Sequence, residues 1–230
     1  MKKPYGRKTK KKVGKILQGS LRKKAMAELA LLPNEQLTGH LFSHFYNSNE
    51  LIKFRATAAM GLLGARMART HIEKARIILR RIMWNLNDES GGIGWGSPEA
   101  MGEILYHSPE LALEFKSILF SYLDTGGNYI EHEGLQRGVL WGVGTYLAAG
   151  KNDLALTTKN LLFGHLHSPD PVKRGYAIRA LINAGHFDCS LVPENIIKDQ
   201  KIIPIFDGWD LIPCRIMDMA LTCEGSKFFA

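Results

Sequence analysis

The sequence has little cysteine. Its three cysteines are Cys189, Cys214 and Cys223, and no two of them form a C-x-x-C pair. An odd number without paired spacing is not typical of a disulfide framework or of a zinc site. We therefore expect reduced thiols, a cytoplasmic location, no metal and no cofactor.

Long hydrophobic runs are also missing. No apolar run approaches the ~18 residues that a membrane helix needs. The basic N-terminus is not followed by the apolar region of a secretory signal. No stretch shows the alternation with period two that is typical of half-buried strands. We therefore expect a helical protein without strands and without a membrane partner.

Acidic residues are absent from the first 24 positions, which hold eleven lysines and arginines. The net charge of +8 comes from this segment, because acids slightly outnumber cations in the rest of the chain. We interpret residues 1–12 as a basic N-terminal tail, dispensable for folding, and residues 13–230 as one domain. Such a tail either solubilises the protein or contacts nucleic acid or an acidic partner. The cations of the possible nucleic-acid contact are Lys2, Lys3, Arg7, Lys8, Lys10, Lys11 and Lys12.

From Val13 onward, the sequence shows the periodicity of amphipathic helices. Apolar residues recur three and four positions apart, and prolines or capping residues precede several of these runs. Thr70 and Glu73 have the spacing of a capping box, which predicts a new helix at Thr70. The predicted helices cover 13–32, 34–46, 50–69, 70–84, 98–106, 109–123, 133–149, 153–166, 172–184, 193–203 and 212–222.

These helices repeat in pairs. The first-turn polar residue of the second helix in each pair is Arg55, Glu99, Arg137, Arg174 and Arg215, at intervals of 44, 38, 37 and 41 residues. A period near 40 with two helices per unit is the signature of an α-solenoid, whose stacked pairs bury a continuous core. We expect an all-α fold, a right-handed α-α superhelix of the HEAT or armadillo type with about five helix pairs.

One stretch carries a family resemblance. It reads His-Ser-Pro-Asp-Pro-Val-Lys-Arg-Gly-Tyr-Ala-Ile-Arg-Ala-Leu from His167 to Leu181, with an acid in the turn, Arg174 one turn later and an alanine-rich helix. This stretch resembles HEAT-like repeats of the bilin-lyase type, and the resemblance extends over roughly residues 34–222. The whole chain is similar to an uncharacterised group of HEAT-like proteins from anaerobic bacteria. The resemblance implies a repeat architecture and no particular activity.

The arginine series has two interpretations. In the first it is a structural ladder, in which each arginine bridges to an acid in the preceding turn. The partners would then be Glu50, Glu133, Asp170 and Asp210. In the second interpretation the arginines form a row of cations suited to carboxylates or phosphates.

The stretch 84–103 departs from the repeat pattern. It holds five glycines and two tryptophans. In one interpretation its glycines only allow an insertion to fold back tightly. Alternatively the loop is a ligand-facing lip, with Trp95 as an apolar face and with Glu99 and Glu103 on one side of the next helix. Its glycine spacing is not that of a dinucleotide-binding loop.

A second polar cluster precedes the predicted helix at 133. Glu131 and His132 would form a metal or acid–base group if adjacent repeats brought them to Glu103 and His107. A helix-capping acid beside an exposed histidine is the alternative. No nucleophile with a nearby base is visible, so we assign no catalytic residue.

We expect the working surface on the concave face of the middle repeats. Glu99 and Arg137 share a repeat phase and are predicted to be neighbours, with Trp141 one turn after Arg137. The predicted binding residues are Trp95, Glu99, Glu103, Glu131, His132, Arg137 and Trp141. The leading hypothesis is a non-enzymatic scaffold that binds a partner protein on this face. The alternatives are a small-molecule-binding protein or enzyme centred on 84–103, and nucleic-acid binding through the basic tail.

Overall fold

The chain folds into a mostly helical structure. The computed structural model describes residues 5–87, 93–150, 154–187 and 192–221. The helices are α1 (Tyr5–Leu17), α2 (Arg22–Ala30), α3 (Asn34–Phe45), α4 (Glu50–Asn87), α5 (Ser97–His107), α6 (Pro109–Ser121), α7 (Glu133–Leu147), α8 (Leu156–His165), α9 (Pro171–Asn183), α10 (Glu194–Ile197) and α11 (Ile216–Leu221). The strands are β1 (Ile202–Phe206) and β2 (Leu211–Arg215). Within these ranges, every helix is too short or too polar to cross a membrane.

A row of helices forms the centre of the molecule. Helix α5 packs between α4 and α7, α7 packs against α9, and α9 packs against α11. Two glycines permit the close approach of α5 and α7, because a Cβ at Gly102 of α5 would lie 2.2 Å from the carbonyl oxygen of Gly142 in α7. The buried side chains of these helices belong to one continuous hydrophobic core. The small residues of the sequence therefore set the spacing of the row.

Helix α4 is broken at the position that the sequence predicts. His71 has non-helical backbone angles (φ −152°, ψ 84°), one residue after the predicted start at Thr70. The proposed capping box is wrong, however. The Thr70 hydroxyl donates backwards to the carbonyl of Met67 at 3.2 Å, while Glu73 pairs with Arg76. Thr70 thus ends the first segment of α4 instead of starting the second.

The C-terminal hairpin contradicts the all-α prediction. Strands β1 and β2 are antiparallel, with Ile202 opposite Arg215 and Phe206 opposite Leu211. The helix predicted over 193–203 is therefore confirmed only at Glu194–Ile197, and the helix predicted over 212–222 begins at Ile216, because residues 212–215 belong to β2. Both strands contain a proline, which cannot donate a helical hydrogen bond, and their β-branched residues favour extended backbone.

A tight turn joins the two strands. The Asp207 carboxylate accepts hydrogen bonds from the backbone N–H groups of Trp209 and Asp210 at 2.9 and 2.7 Å. Gly208 between them adopts a φ of 100°, which favours glycine. An Asp-Gly pair between two apolar runs is a hairpin signal.

The hairpin reaches back to the beginning of the chain. Phe206 stacks on Phe54 of α4 with ring centroids 5.3 Å apart. The indole N–H of Trp209 donates to the carbonyl of Gly19 at 2.9 Å, and Arg55 pairs with Asp210 at 2.8 Å. The hairpin consequently covers part of the helix row on which the sequence placed a binding face.

Helix α1 begins at Tyr5, so the predicted boundary between tail and domain falls inside it. Val13, Ile16 and Leu17 are buried, and α1 packs against α2 and α3. Lys2 and Lys3 lie outside the described residues. The remaining cations of the predicted tail are thus carried by a helix that is part of the fold.

Candidate functional site

The predicted lip and the second polar cluster meet at Trp95 and His132. Their rings make an edge-to-face contact at 5.2 Å. His132 caps α7, because its Nδ1 accepts from the N–H groups of Gly134 and Leu135 at 3.1 and 3.4 Å. The cap is the histidine itself, and the neighbouring Glu131 is exposed. The part of the glycine loop at 88–92 lies outside the described residues.

Glu99 and Arg137 do not form the expected pair. Glu99 is 4% exposed, and its Oε1 lies 3.4 Å from Nζ of Lys53. Its Oε2 lies against Gly138 and has no hydrogen-bond partner within the described part of the chain. Arg137 turns instead to Asp170, with its Nε 2.6 Å from the carboxylate. Glu99 is therefore held by Lys53 of α4, and Arg137 by Asp170, the residue that caps α9.

Trp141 is part of the core, and placing it on a working surface was wrong. It is 1% exposed. Its ring makes edge contacts with Phe54 at 5.0 Å and Tyr176 at 4.9 Å, and the Arg179 guanidinium lies 3.8 Å from its centroid. A macromolecular partner cannot reach the indole while Phe206 covers it.

Glu103 and His107 form a titratable pair on α5, in which Glu103 is buried and His107 is half-buried. The Oε2 and Nε2 atoms are 4.0 Å apart. Burial raises the pKa of Glu103 to about 7, against the opposing effect of Arg179 and Arg22. Burial also lowers the pKa of His107 to about 4, and Arg22 and Arg69 lower it further. Between these two values both groups are neutral, so the pair is not a salt bridge near pH 6.

The wider cluster proposed around this pair does not form. Among the residues with described positions, no three His, Cys, Asp or Glu side chains are arranged to hold a metal ion. Glu131 and His132 lie at the start of α7, and the contacts described for His132 are with Trp95 and the α7 backbone. The geometry therefore brings together only Glu103 and His107 of the four predicted residues.

The arginine series is a structural ladder, but with other partners than those predicted. The pairs are Arg55–Asp210 at 2.8 Å, Arg137–Asp170 at 2.6 Å, Arg174–Asp199 at 2.6 Å and Arg215–Asp218 at 3.6 Å. Each arginine reaches an acid later in the chain, whereas the sequence placed its partner in the preceding turn. These cations are already neutralised, so the series offers no row of free charges to an anionic ligand.

Free positive charge is concentrated in a groove between α1 and α2, which we call the lysine groove. It is an open cavity of about 720 Å³. Its cationic lining residues are Lys8, Lys11, Lys12, Lys15 and Lys24. The other lining residues include the buried Ile16 and Ala25 and one acid, Glu28.

Four of these lysines share one face of α1. Lys8, Lys11, Lys12 and Lys15 follow the spacing i, i+3, i+4, i+7, which places side chains on the same side of a helix. All five groove lysines are exposed, and within the described residues none of them has an ion-pair partner. Sequence reasoning identified the charge but treated it as an unstructured tail. The helical spacing of the lysines was the signal that could have revealed a structured surface.

The comparisons with known proteins indicate no activity for this chain. No family model matches the chain. An uncharacterised protein from Archaeoglobus fulgidus is 26% identical over 179 residues, which cover 78% of this chain and 91% of the archaeal one. A crystal structure of an engineered protein from the Northeast Structural Genomics Consortium aligns with a TM-score of 0.44 and 15% identity, over 79% of this chain and 81% of that one. The chain is thus similar over most of its length to an archaeal protein, and its function has to be inferred from its own geometry.

Proposed function

We propose that this protein binds the phosphate backbone of nucleic acid through the lysine groove. The observation that carries the proposal is the set of five exposed lysines that line one groove without acidic partners among the described residues. Charges of one sign in a groove focus the electrostatic potential and attract a polyanion. Lysine ammonium groups bind phosphates as point charges and release condensed counterions when they do so.

A membrane surface fits this groove less well than nucleic acid does. Helices that lie on membranes insert an exposed apolar face into the lipid. The apolar side of α1, formed by Val13, Ile16 and Leu17, is buried inside the protein. Its lysine face alone would provide electrostatic attraction without insertion.

The test is a comparison of two triple variants in a fluorescence-anisotropy assay with labelled DNA and RNA. The variant Lys11→Ala, Lys12→Ala, Lys15→Ala removes three charges from the groove. We expect its affinity to fall at least tenfold.

A matched control removes three exposed lysines outside the groove, Lys23, Lys116 and Lys201, and has the same net charge. We expect the control to bind almost as tightly as the wild type. Equal losses in both variants would mean that the overall charge, and not the groove, holds the ligand. No binding by the wild-type protein would refute the function.

We also propose that the helix row is an α-solenoid of the HEAT-like type. The sequential packing of α4, α5, α7, α9 and α11 supports it. The contacts of α3 with α4, α6 with α7, α8 with α9 and α10 with α11 support it too, because these are the helix pairs that the repeat predicts. Scattering data in solution that exclude a curved, stacked arrangement would contradict this architecture.

A scaffold that binds a protein partner is the second candidate function. One observation favours it: Trp84 is 72% exposed and Ile77 is 59% exposed, two helical turns apart on the second segment of α4. Exposed aromatic residues of this size are typical anchors of protein interfaces. Of the predicted partner-binding residues, Glu131, His132 and Arg137 are exposed, and Arg137 is paired with Asp170.

Affinity capture from the native cell lysate after nuclease treatment tests the scaffold. A partner that the wild type retains and the Trp84→Ala variant loses would support docking on this face. A partner held equally by both proteins would place the interface elsewhere, and loss of every partner on nuclease treatment would favour the nucleic-acid function.

A further inference from the structure

The lysine groove contains the chemistry to hold phosphates but not to read bases. Its described lining is lysine, aliphatic side chains, Gly19, Ser20 and Glu28, and it includes no aromatic, arginine, asparagine or glutamine residue. Proteins that bind single strands use aromatic side chains on which bases stack. Sequence-specific readers use side chains such as Arg, Asn and Gln that hydrogen-bond to base edges. The described lining supports neither of these two modes.

The arrangement of the lysines favours a ligand with dense charge. From Lys8 to Lys15 the row covers about 10 Å along the α1 axis, at about 1.5 Å per residue. A duplex presents one phosphate charge per about 1.7 Å of its axis, and a single strand only one per about 3.4 Å. The charge density along the axis of a duplex is therefore about twice that of a single strand, so a duplex attracts the same four ammonium groups more strongly.

Glu28, the single acid in the described lining of the groove, also favours a duplex over a single strand. Glu28 belongs to α2 and lines the cavity together with the apolar Ile16 and Ala25. A strand that entered the groove would bring its phosphates towards this carboxylate and towards apolar surface. A duplex is too wide to enter the groove, so it would contact the exposed lysines from outside.

We infer that the ligand is double-stranded nucleic acid, bound through its phosphates without sequence preference; the inference depends on the proposed function of the groove. The salt dependence follows from the number of contacts. With five lysines engaged, log K should fall with log salt concentration with a slope of about −4 to −5 for a DNA duplex. Each groove lysine that is removed should reduce this slope by about 0.9.

The experiment measures anisotropy with two DNA duplexes of unrelated sequence, their separated strands, an RNA duplex and poly-glutamate, between about 50 and 200 mM salt. We expect the two DNA duplexes to bind equally and several-fold more tightly than their single strands. The RNA duplex is likewise expected to bind more tightly than the single strands, because the groove contacts only phosphates. The Lys12→Ala variant should show a smaller slope, whereas Lys23→Ala, an exposed neighbour of Lys24 outside the groove, should keep the wild-type slope.

Two results would overturn the inference while leaving the proposed function in place. The first is single strands that bind as tightly as duplexes, and the second is a tenfold preference between the two duplex sequences. Binding of poly-glutamate without binding of any nucleic acid would overturn both the inference and the function, and would identify an acidic protein segment as the ligand.

Discussion

At the scale of single residues, the carboxyl of Glu103 gives stability a defined pH dependence. Its pKa is about 7 in the folded protein, against an ordinary value of 4.5 in an unfolded chain. Between these values the folded state holds more protons than the unfolded state, so the free energy of unfolding falls as the pH rises. His107, whose pKa is lowered, has the opposite effect between about 4 and 6.5.

We expect the Glu103→Gln variant to isolate the carboxyl contribution. The free energy of unfolding of the variant minus that of the wild type should increase by about 1–3 kcal/mol from pH 4.5 to pH 8, because one pKa unit corresponds to about 1.4 kcal/mol. Urea unfolding of both proteins at the two pH values measures this. A difference between variant and wild type that does not change with pH would show that Glu103 titrates normally.

Arg55 is the residue whose loss should cost most among the ladder arginines. It is 4% exposed, and besides Asp210 it donates to the carbonyls of Leu17, Gly19 and Trp209. We expect Arg55→Ala to lower the free energy of unfolding by about 3 kcal/mol, because buried acceptors lose their partner.

Arg215→Ala is the control for this measurement. Its side chain is 42% exposed and its pair with Asp218 is long, at 3.6 Å. Exposed pairs contribute about 0–1 kcal/mol. If chemical denaturation gave similar losses for both variants, the buried hydrogen bonds of Arg55 would not be the source of its effect.

At the scale of elements, the contact between α5 and α7 depends on glycine. A Cβ at Gly102 would overlap with the Gly142 backbone, which cannot move without separating the helices. We expect Gly102→Ala to destabilise the protein by at least the upper end of the roughly 1–3 kcal/mol that overpacking costs.

We expect Gly39→Ala to have the opposite effect when it and Gly102→Ala are compared with the wild type by thermal unfolding. Gly39 lies in α3, and a Cβ added there would have no described atom outside its own helical turn within 4 Å. Alanine at this position should stabilise the helix by about 0.5–1 kcal/mol. A destabilisation of equal size at both positions would contradict the close approach of α5 and α7.

Helix positions were predictable from the sequence where local signals fix them. Pro98 and Pro109 lie in the first turns of α5 and α6. Proline is favoured there because the N–H group that it lacks would have no partner within the helix. Partner choice was not predictable, because Arg137 could reach either Glu99 or Asp170 and only the packing of helices decides. The hairpin was missed because its apolar runs are short, and short runs do not distinguish a strand from a buried helix.

At the scale of the whole molecule, α1 connects the basic segment to the core. Deleting residues 1–12 would remove its first two turns and uncover Val13, which is fully buried. We expect a loss of about 2 kcal/mol, in contrast to the sequence-based expectation that this segment is dispensable. The triple lysine variant of the groove should change stability by less than about 0.5 kcal/mol. Differential scanning calorimetry of both proteins separates the two effects, and an unchanged melting temperature on deletion would restore the original expectation.

The return of the hairpin to the start of the chain also has a consequence for synthesis on the ribosome. The bond from Trp209 to Gly19 joins positions 190 residues apart, and the bond from Arg55 to Asp210 joins positions 155 apart. Contacts of such separation form late, because a long loop must be closed first. The surfaces of Phe54 and Trp141 that Phe206 covers therefore stay exposed until the hairpin at residues 202–215 has been synthesised.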